Sequence, residues 1–131
     1  MEQRDYSDDD DFFTQDFRRP GLVSVWLARP DFDSTGTNDA LQTLCGVGYY
    51  DLDDQETNAS NSEPISIDKL LAPISYSPSF SNQIVEAANL KGIFSSRWVL
   101  VQFDFAYDRS QVRRPIDPTL LYIATVPYHT D

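Results

Sequence analysis

Apolar residues run almost unbroken through 96–107. Within that run Trp98, Leu100 and Gln102 alternate with Val99, Val101, Phe103 and Phe105. A strand over 97–107 is predicted to place these two sets on opposite faces. Both sets are largely apolar, as in a central strand covered on both sides. The β-branched and aromatic content favours strand over buried helix. The same alternation predicts a first strand over 22–28, where Leu22, Ser24 and Trp26 alternate with Val23, Val25 and Leu27, just after the break at Pro20-Gly21. It also predicts a last strand over 119–126, with Leu120, Tyr122, Ala124 and Val126 facing one way and Leu121, Ile123 and Thr125 the other. An edge strand is expected at 49–52, followed by a polar loop. The connection between Phe105 and Leu120 is short and carries no helical pattern, so the strands it joins are expected to pair antiparallel.

Helical spacing appears in three places. Thr37, Asn38 or Asp39 can cap a short helix through Leu41 and Leu44, closed by Gly46 or Gly48. Ser66 can cap a helix over 67–71 that Pro73 stops. The strongest pattern runs over 78–91, with Ser77 as cap, Pro78 at the first helical position, and Phe80, Ile84 and Ala88 on one face. Gly92 supplies the stop. Together these predict one α+β domain over 20–131, with a largely antiparallel sheet of three to four strands and helices packed on it. An acidic, flexible tail is expected over 1–19.

Composition narrows the function classes. The chain has 131 residues, 40% of them hydrophobic and 13% aromatic, enough for a single domain with its own core and too apolar for a disordered chain. The net charge of −11 argues against direct contact with nucleic acid or an anionic membrane, which repel such a surface. Cys45 is the single cysteine, so no intrachain disulfide forms, and it reads as a small buried hydrophobe. The only histidine is His129, remote in sequence from that thiol. No apolar stretch reaches the length of a membrane span, and the acidic start lacks the order of a signal peptide, so a cytoplasmic protein is expected.

The distribution of charge is more informative than its sum. From Pro30 to Asp68 there are nine acidic residues and no lysine or arginine. Such a stretch is either a solvated face or a negative field that steers a basic partner. The run Asp8–Asp11, interrupted by Phe12, Phe13 and Phe17, offers the same two readings, of which the solvated terminus is the simpler. Asp51 to Glu56 has carboxylates but neither the glycine nor the spacing of a calcium loop. No phosphate-binding loop, dinucleotide fingerprint, nucleophile elbow or zinc spacing is present. No catalytic residue, metal or cofactor is therefore expected, and the chain is not expected to be an enzyme. Tyrosines beside carboxylates suit protein recognition, because the rings anchor and the acids steer. The predicted partner-binding surface is Tyr49, Tyr50, Asp51, Asp53, Asp54 and Glu56, with Asp31 and Asp33 at its rim.

Five blocks in order resemble the bacterial immunity protein 22 family over about residues 22–128. They are Leu22-Val23-Ser24-Val25-Trp26-Leu27; the tyrosine-and-acid segment from Tyr49 to Glu56; Ser75-Tyr76-Ser77-Pro78-Ser79-Phe80; the strand from Val99 to Tyr107; and the closing strand from Leu121 to Tyr128. The resemblance implies an α+β cytoplasmic antitoxin without catalytic activity, encoded beside a polymorphic toxin used in interbacterial competition. The implied partner is that cognate toxin, often a nuclease and so basic where it meets phosphate. The competing expectation is an acidic adaptor or nucleic-acid mimic that blocks the basic groove of a cellular or defence protein.

Overall fold

The computed structural model describes residues 17–29, 41, 45, 47, 50–60, 63–112 and 119–129. A four-stranded antiparallel sheet is built from β1 (Arg18–Ala28), β2 (Gln55–Ala59), β5 (Trp98–Phe105) and β6 (Leu120–Pro127), in the order β2-β5-β1-β6. A separate two-stranded ribbon, β3 (Ile65–Ser66) with β4 (Ser95–Ser96), is tied to it by Ser96 Oγ, which donates to the Ala28 carbonyl at 2.8 Å. Two helices, α1 (Ile67–Leu71) and α2 (Ser81–Leu90), pack on the main sheet, giving the α+β architecture the sequence predicts.

The two interior strands are the two with apolar residues on both faces. Five consecutive residues of β1, Val23 to Leu27, are buried, as are Val99 to Phe103 of β5. On one face Val25, Leu27, Val99 and Val101 meet α1 and α2. Phe80, Ile84 and Ala88 of the predicted helix stripe are fully buried there. On the other face Trp26, Leu100 and Leu120 meet Phe17, Leu41 and Cys45. Leu41 and Cys45 have helical backbone one turn apart, consistent with the short helix expected there, whose other residues lie outside the described ones. The sheet thus carries a core on each side, and Cys45 is the buried hydrophobe expected of it.

Several boundaries and pairings differ from the expectation, each for a physical reason. β5 and β6 do not pair; β1 lies between them and is antiparallel to both. They therefore run parallel to one another, which requires a crossover of about a dozen residues or more. Of the connection between them, 106–112 and 119 are described, and Tyr107 and Val112 are buried on the second face. β1 starts at Arg18, ahead of Pro20-Gly21, and Phe17 before it is buried. The first sixteen residues of the expected tail lie outside the described ones. Gly21 is absorbed by a bulge rather than ending the strand: β1 advances five residues, from Arg18 to Val23, while β5 moves only from Phe105 to Phe103. Gly21 has φ 86° and Asp104 opposite has φ 56°, a conformation glycine and aspartate tolerate better than most residues. The bulge reverses the alternation, so Phe103 faces the helices and Phe105 the second core. Both are nearly fully buried, at 6% and 4% exposure.

A second irregularity, between the pairs Val25–Ala124 and Trp26–Tyr122, leaves Ile123 unpaired and turns Ala124 and Val126 toward the helices. Thr125 then lies opposite Ser24, which is completely buried on the second face. Ser24 Oγ donates to the Phe105 carbonyl at 2.7 Å, so it accepts from Thr125 Oγ1 at 2.6 Å, and Thr125 in turn accepts from the Tyr122 hydroxyl at 2.6 Å. The bulges thus leave the buried hydroxyls paired, as burial demands.

The edge strand is Gln55–Ala59, not 49–52. The Asp51 carboxylate accepts the Asp53 N–H at 3.0 Å and the Asp54 N–H bonds the Asp51 carbonyl at 3.0 Å, closing a 3-10 turn over Leu52–Asp54 where a strand was expected. A polar edge strand reads as a loop in sequence, yet polar side chains are what an edge needs to resist pairing with other chains. Helix α1 spans the expected 67–71. The longer helix begins with a separate 3-10 turn, Ser77–Ser79, and its α-helical part starts at Ser81. Ser77 is buried and bonds the Ala72 carbonyl instead of capping. At the other end the prediction holds. Gly92 has φ 82°, its N–H bonds the Asn89 carbonyl, and the Ile93 N–H reaches back to Ala88, the paired bonds of a Schellman stop.

Candidate functional site

The acidic turn is fixed to the sheet by one buried amide. Gln102 of β5 donates from Nε2 to the Asp51 carbonyl at 2.8 Å and accepts from Gln55 Nε2 at 3.2 Å. A glutamine in the middle of an apolar strand thereby positions Asp51 to Asp54 beside the end of β5. Asp51 and Asp53 are exposed and Asp54 is partly buried. Burial holds the Asp54 carboxyl above the usual carboxylate range, and the negative charges of Asp51, Asp104 and Asp53 push the same way; Arg18 opposes them.

Asp104 joins this group through the bulge. One of its oxygens accepts both the Gly21 N–H at 2.9 Å and the Tyr128 hydroxyl at 2.7 Å. The Tyr128 phenol is pushed up to about 12 by burial, by the bond it donates to Asp104, and by the charges of Asp104 and Asp54. Tyr128 lies 5.0 Å from Phe103 and 5.9 Å from Tyr76, ring centre to ring centre. Tyr76 is 45% exposed and stands edge-on to Phe103. Its backbone is left-handed, φ 61°; Tyr76 and Asp104 are the non-glycine residues at positive φ among those described. Each such conformation costs on the order of 1–3 kcal/mol and persists where surrounding contacts hold it. For Tyr76 those contacts are explicit: Glu56 accepts the Ser75 N–H at 2.9 Å, and Ser79 Oγ donates to the Tyr76 carbonyl at 2.8 Å.

The predicted surface is therefore only partly brought together. Asp51, Asp53 and Asp54 form one turn. Glu56 is half-buried and holds the loop that carries Tyr76. Tyr50 is half-buried and packs against the second core. Tyr49, Asp31 and Asp33 lie outside the described residues. The aromatic partners of the carboxylates are Tyr76 and Tyr128, from distant parts of the chain. Asp104 had a sequence signal, as the one charge inside the apolar run 98–105. Tyr76 and Tyr128 had none beyond lying at the ends of predicted elements.

Carboxylates are concentrated at one end of the sheet, with the rings of Tyr76 and Tyr128 beside them. Among the described residues no three His, Cys, Asp or Glu side chains converge as around a metal ion. No described helix is long and apolar enough to cross a membrane. Comparison with protein-family models, curated proteins and solved structures finds no match to this chain. The resemblance to the immunity family rests on the five sequence blocks alone.

Proposed function

We propose that this chain is an immunity protein that neutralises a cognate bacterial toxin in the cytoplasm by binding a basic surface on it. The contact is made by Asp51, Asp53, Asp54 and Asp104 together with Tyr76 and Tyr128. One observation carries the reading: the Asp54 carboxyl is raised first by burial and then by the like charges of Asp51, Asp104 and Asp53, and that electrostatic part is relieved by a cationic partner. The tyrosines supply apolar area with two rotatable bonds each, the kind of side chain that dominates binding hot spots. A toxin that cuts nucleic acid must present arginine or lysine to phosphate, and the carboxylates pair with those groups. The protein inhibits by occupying the surface and performs no chemistry. Capture of partners from the source bacterium with the tagged chain, read by mass spectrometry, tests the proposal. The expected partner is a basic protein encoded next to this one and toxic without it. Capture of a basic housekeeping or defence protein from an unlinked locus would instead favour the nucleic-acid mimic.

A further inference from the structure

The second face of the sheet holds a cavity of about 330 Å³ at the end of the molecule's other core. Its floor is Trp26, Cys45 and Leu120, all buried, and its walls are Tyr107 and Tyr122; Leu121, which packs toward the helices, touches only its margin. The exposed Arg109 stands at its rim and is the only charged residue among the described ones that line it. We propose that this cavity binds a small apolar monoanion, an aryl or short-acyl carboxylate, with its hydrocarbon body against Trp26 and Tyr122 and its carboxylate on the Arg109 guanidinium.

Three observations define the ligand. The first is the polarity of the interior. The two hydroxyls in the walls are already committed: Tyr107 donates to the Cys45 carbonyl at 2.8 Å, and Tyr122 bonds Thr125. Burial raises both phenols above the ordinary tyrosine value. Among the described lining residues the interior therefore offers no spare donor to a polar body, and such a lining favours an apolar guest. The second is the position of the charge. Arg109 lines the cavity, and its positive charge acts on the Tyr107 hydroxyl against the effect of burial. The neighbouring Asp108 is not among the described residues that line the cavity; one of its oxygens accepts the Ser110 N–H at 3.0 Å and Ser110 Oγ at 2.6 Å, and its charge acts on Tyr122. One guanidinium at the rim fits a single carboxylate; a cationic ligand meets repulsion, and a multiply charged one meets too few donors. The third is size: at the roughly 30 Å³ that each water takes up in the liquid, the space corresponds to about ten non-hydrogen atoms.

Cinnamate and its neutral amide, cinnamamide, have this size and differ only in charge. Ligand-detected NMR titration of the intact chain should show saturable binding of cinnamate and binding of cinnamamide weaker by about tenfold. Arg109→Gln, at an exposed position that does not support the fold, should bring cinnamate down to the affinity of the amide and leave the amide unchanged. Cys45, as the single thiol, reports occupancy independently: cinnamate should slow its alkylation by iodoacetamide in the wild-type chain and not in Arg109→Gln at the same concentration. Absence of saturable binding by either compound overturns the proposal, as does equal affinity of cinnamate for the wild type and Arg109→Gln.

Discussion

Replacing Asp54 by asparagine should stabilise the free protein while weakening its complexes. The carboxyl of Asp54 is raised in the folded chain, first by burial and then by Asp51, Asp104 and Asp53. A folded-state value above the unfolded one contributes stability that is fully present below the unfolded value, 3.8, and is lost as pH rises through the folded value. At neutral pH the ionised Asp54 is therefore a net liability, which an uncharged isostere removes. No hydrogen bond contributes to the shift, and the turn is closed by the Asp54 backbone N–H, which asparagine keeps. Because the side chain is largely in contact with water, screening limits the gain to at most about 1 kcal/mol. For a domain of this length that is an upward shift in Tm of roughly 3–5 °C. Paired thermal melts of wild type and Asp54→Asn check it. The gap should be largest at neutral pH and low salt, shrink in about 1 M salt where the Debye length falls to about 3 Å, and close as pH drops below 4. A lower Tm for the asparagine variant at neutral pH, or a gap indifferent to salt, would refute the reasoning that Asp54 sits in a crowded negative field.

Phe103→Ala opens the core beneath α2 and should cost about 3–5 kcal/mol in urea unfolding; a loss under about 1 kcal/mol would remove Phe103 from the centre of that core. Gly92→Ala meets no atom within 4 Å of the added Cβ, so its cost is the left-handed backbone alone, about 1–2 kcal/mol, and Gly92→Asn should recover part of it. Tyr128, raised to about 12, contributes stability that is complete below pH 10 and lost as pH climbs toward 12; urea midpoints across that window should fall for the wild type and fall less for Tyr128→Phe.

Much of this fold is legible in the sequence because its signals are local. Helix 67–71, the Phe80–Ile84–Ala88 stripe and the Gly92 stop follow from spacing and backbone preference over a few residues. The three long strands follow from alternation. What the sequence conceals is decided between segments. The order β2-β5-β1-β6 depends on where the interior strands find cover, and chain order cannot report that. The two bulges reverse the face on which Phe105, Ala124 and Val126 lie, through the positive φ of Asp104 and one unpaired residue at Ile123. The edge strand at Gln55–Ala59 is hidden by its own polarity. The same holds for the candidate site. Its acidic turn is visible as a charge run, whereas the rings beside it come from Tyr76 and Tyr128, which meet only after folding, and Tyr50 is drawn into the second core.

The central claim is that the Asp51–Asp54 turn and its neighbours bind a basic partner. Its most direct test is the affinity of the captured partner for wild type and for the double variant Asp53→Lys with Asp54→Lys, by calorimetry at low and at high ionic strength. Both positions are at the surface and outside the cores, so the variant should remain folded, as circular dichroism will report. At low ionic strength the double variant should bind at least about tenfold more weakly, mainly through slower association, and the difference should shrink in about 1 M salt. Equal affinity of the two proteins at low ionic strength would contradict the claim and place the binding surface elsewhere on the chain.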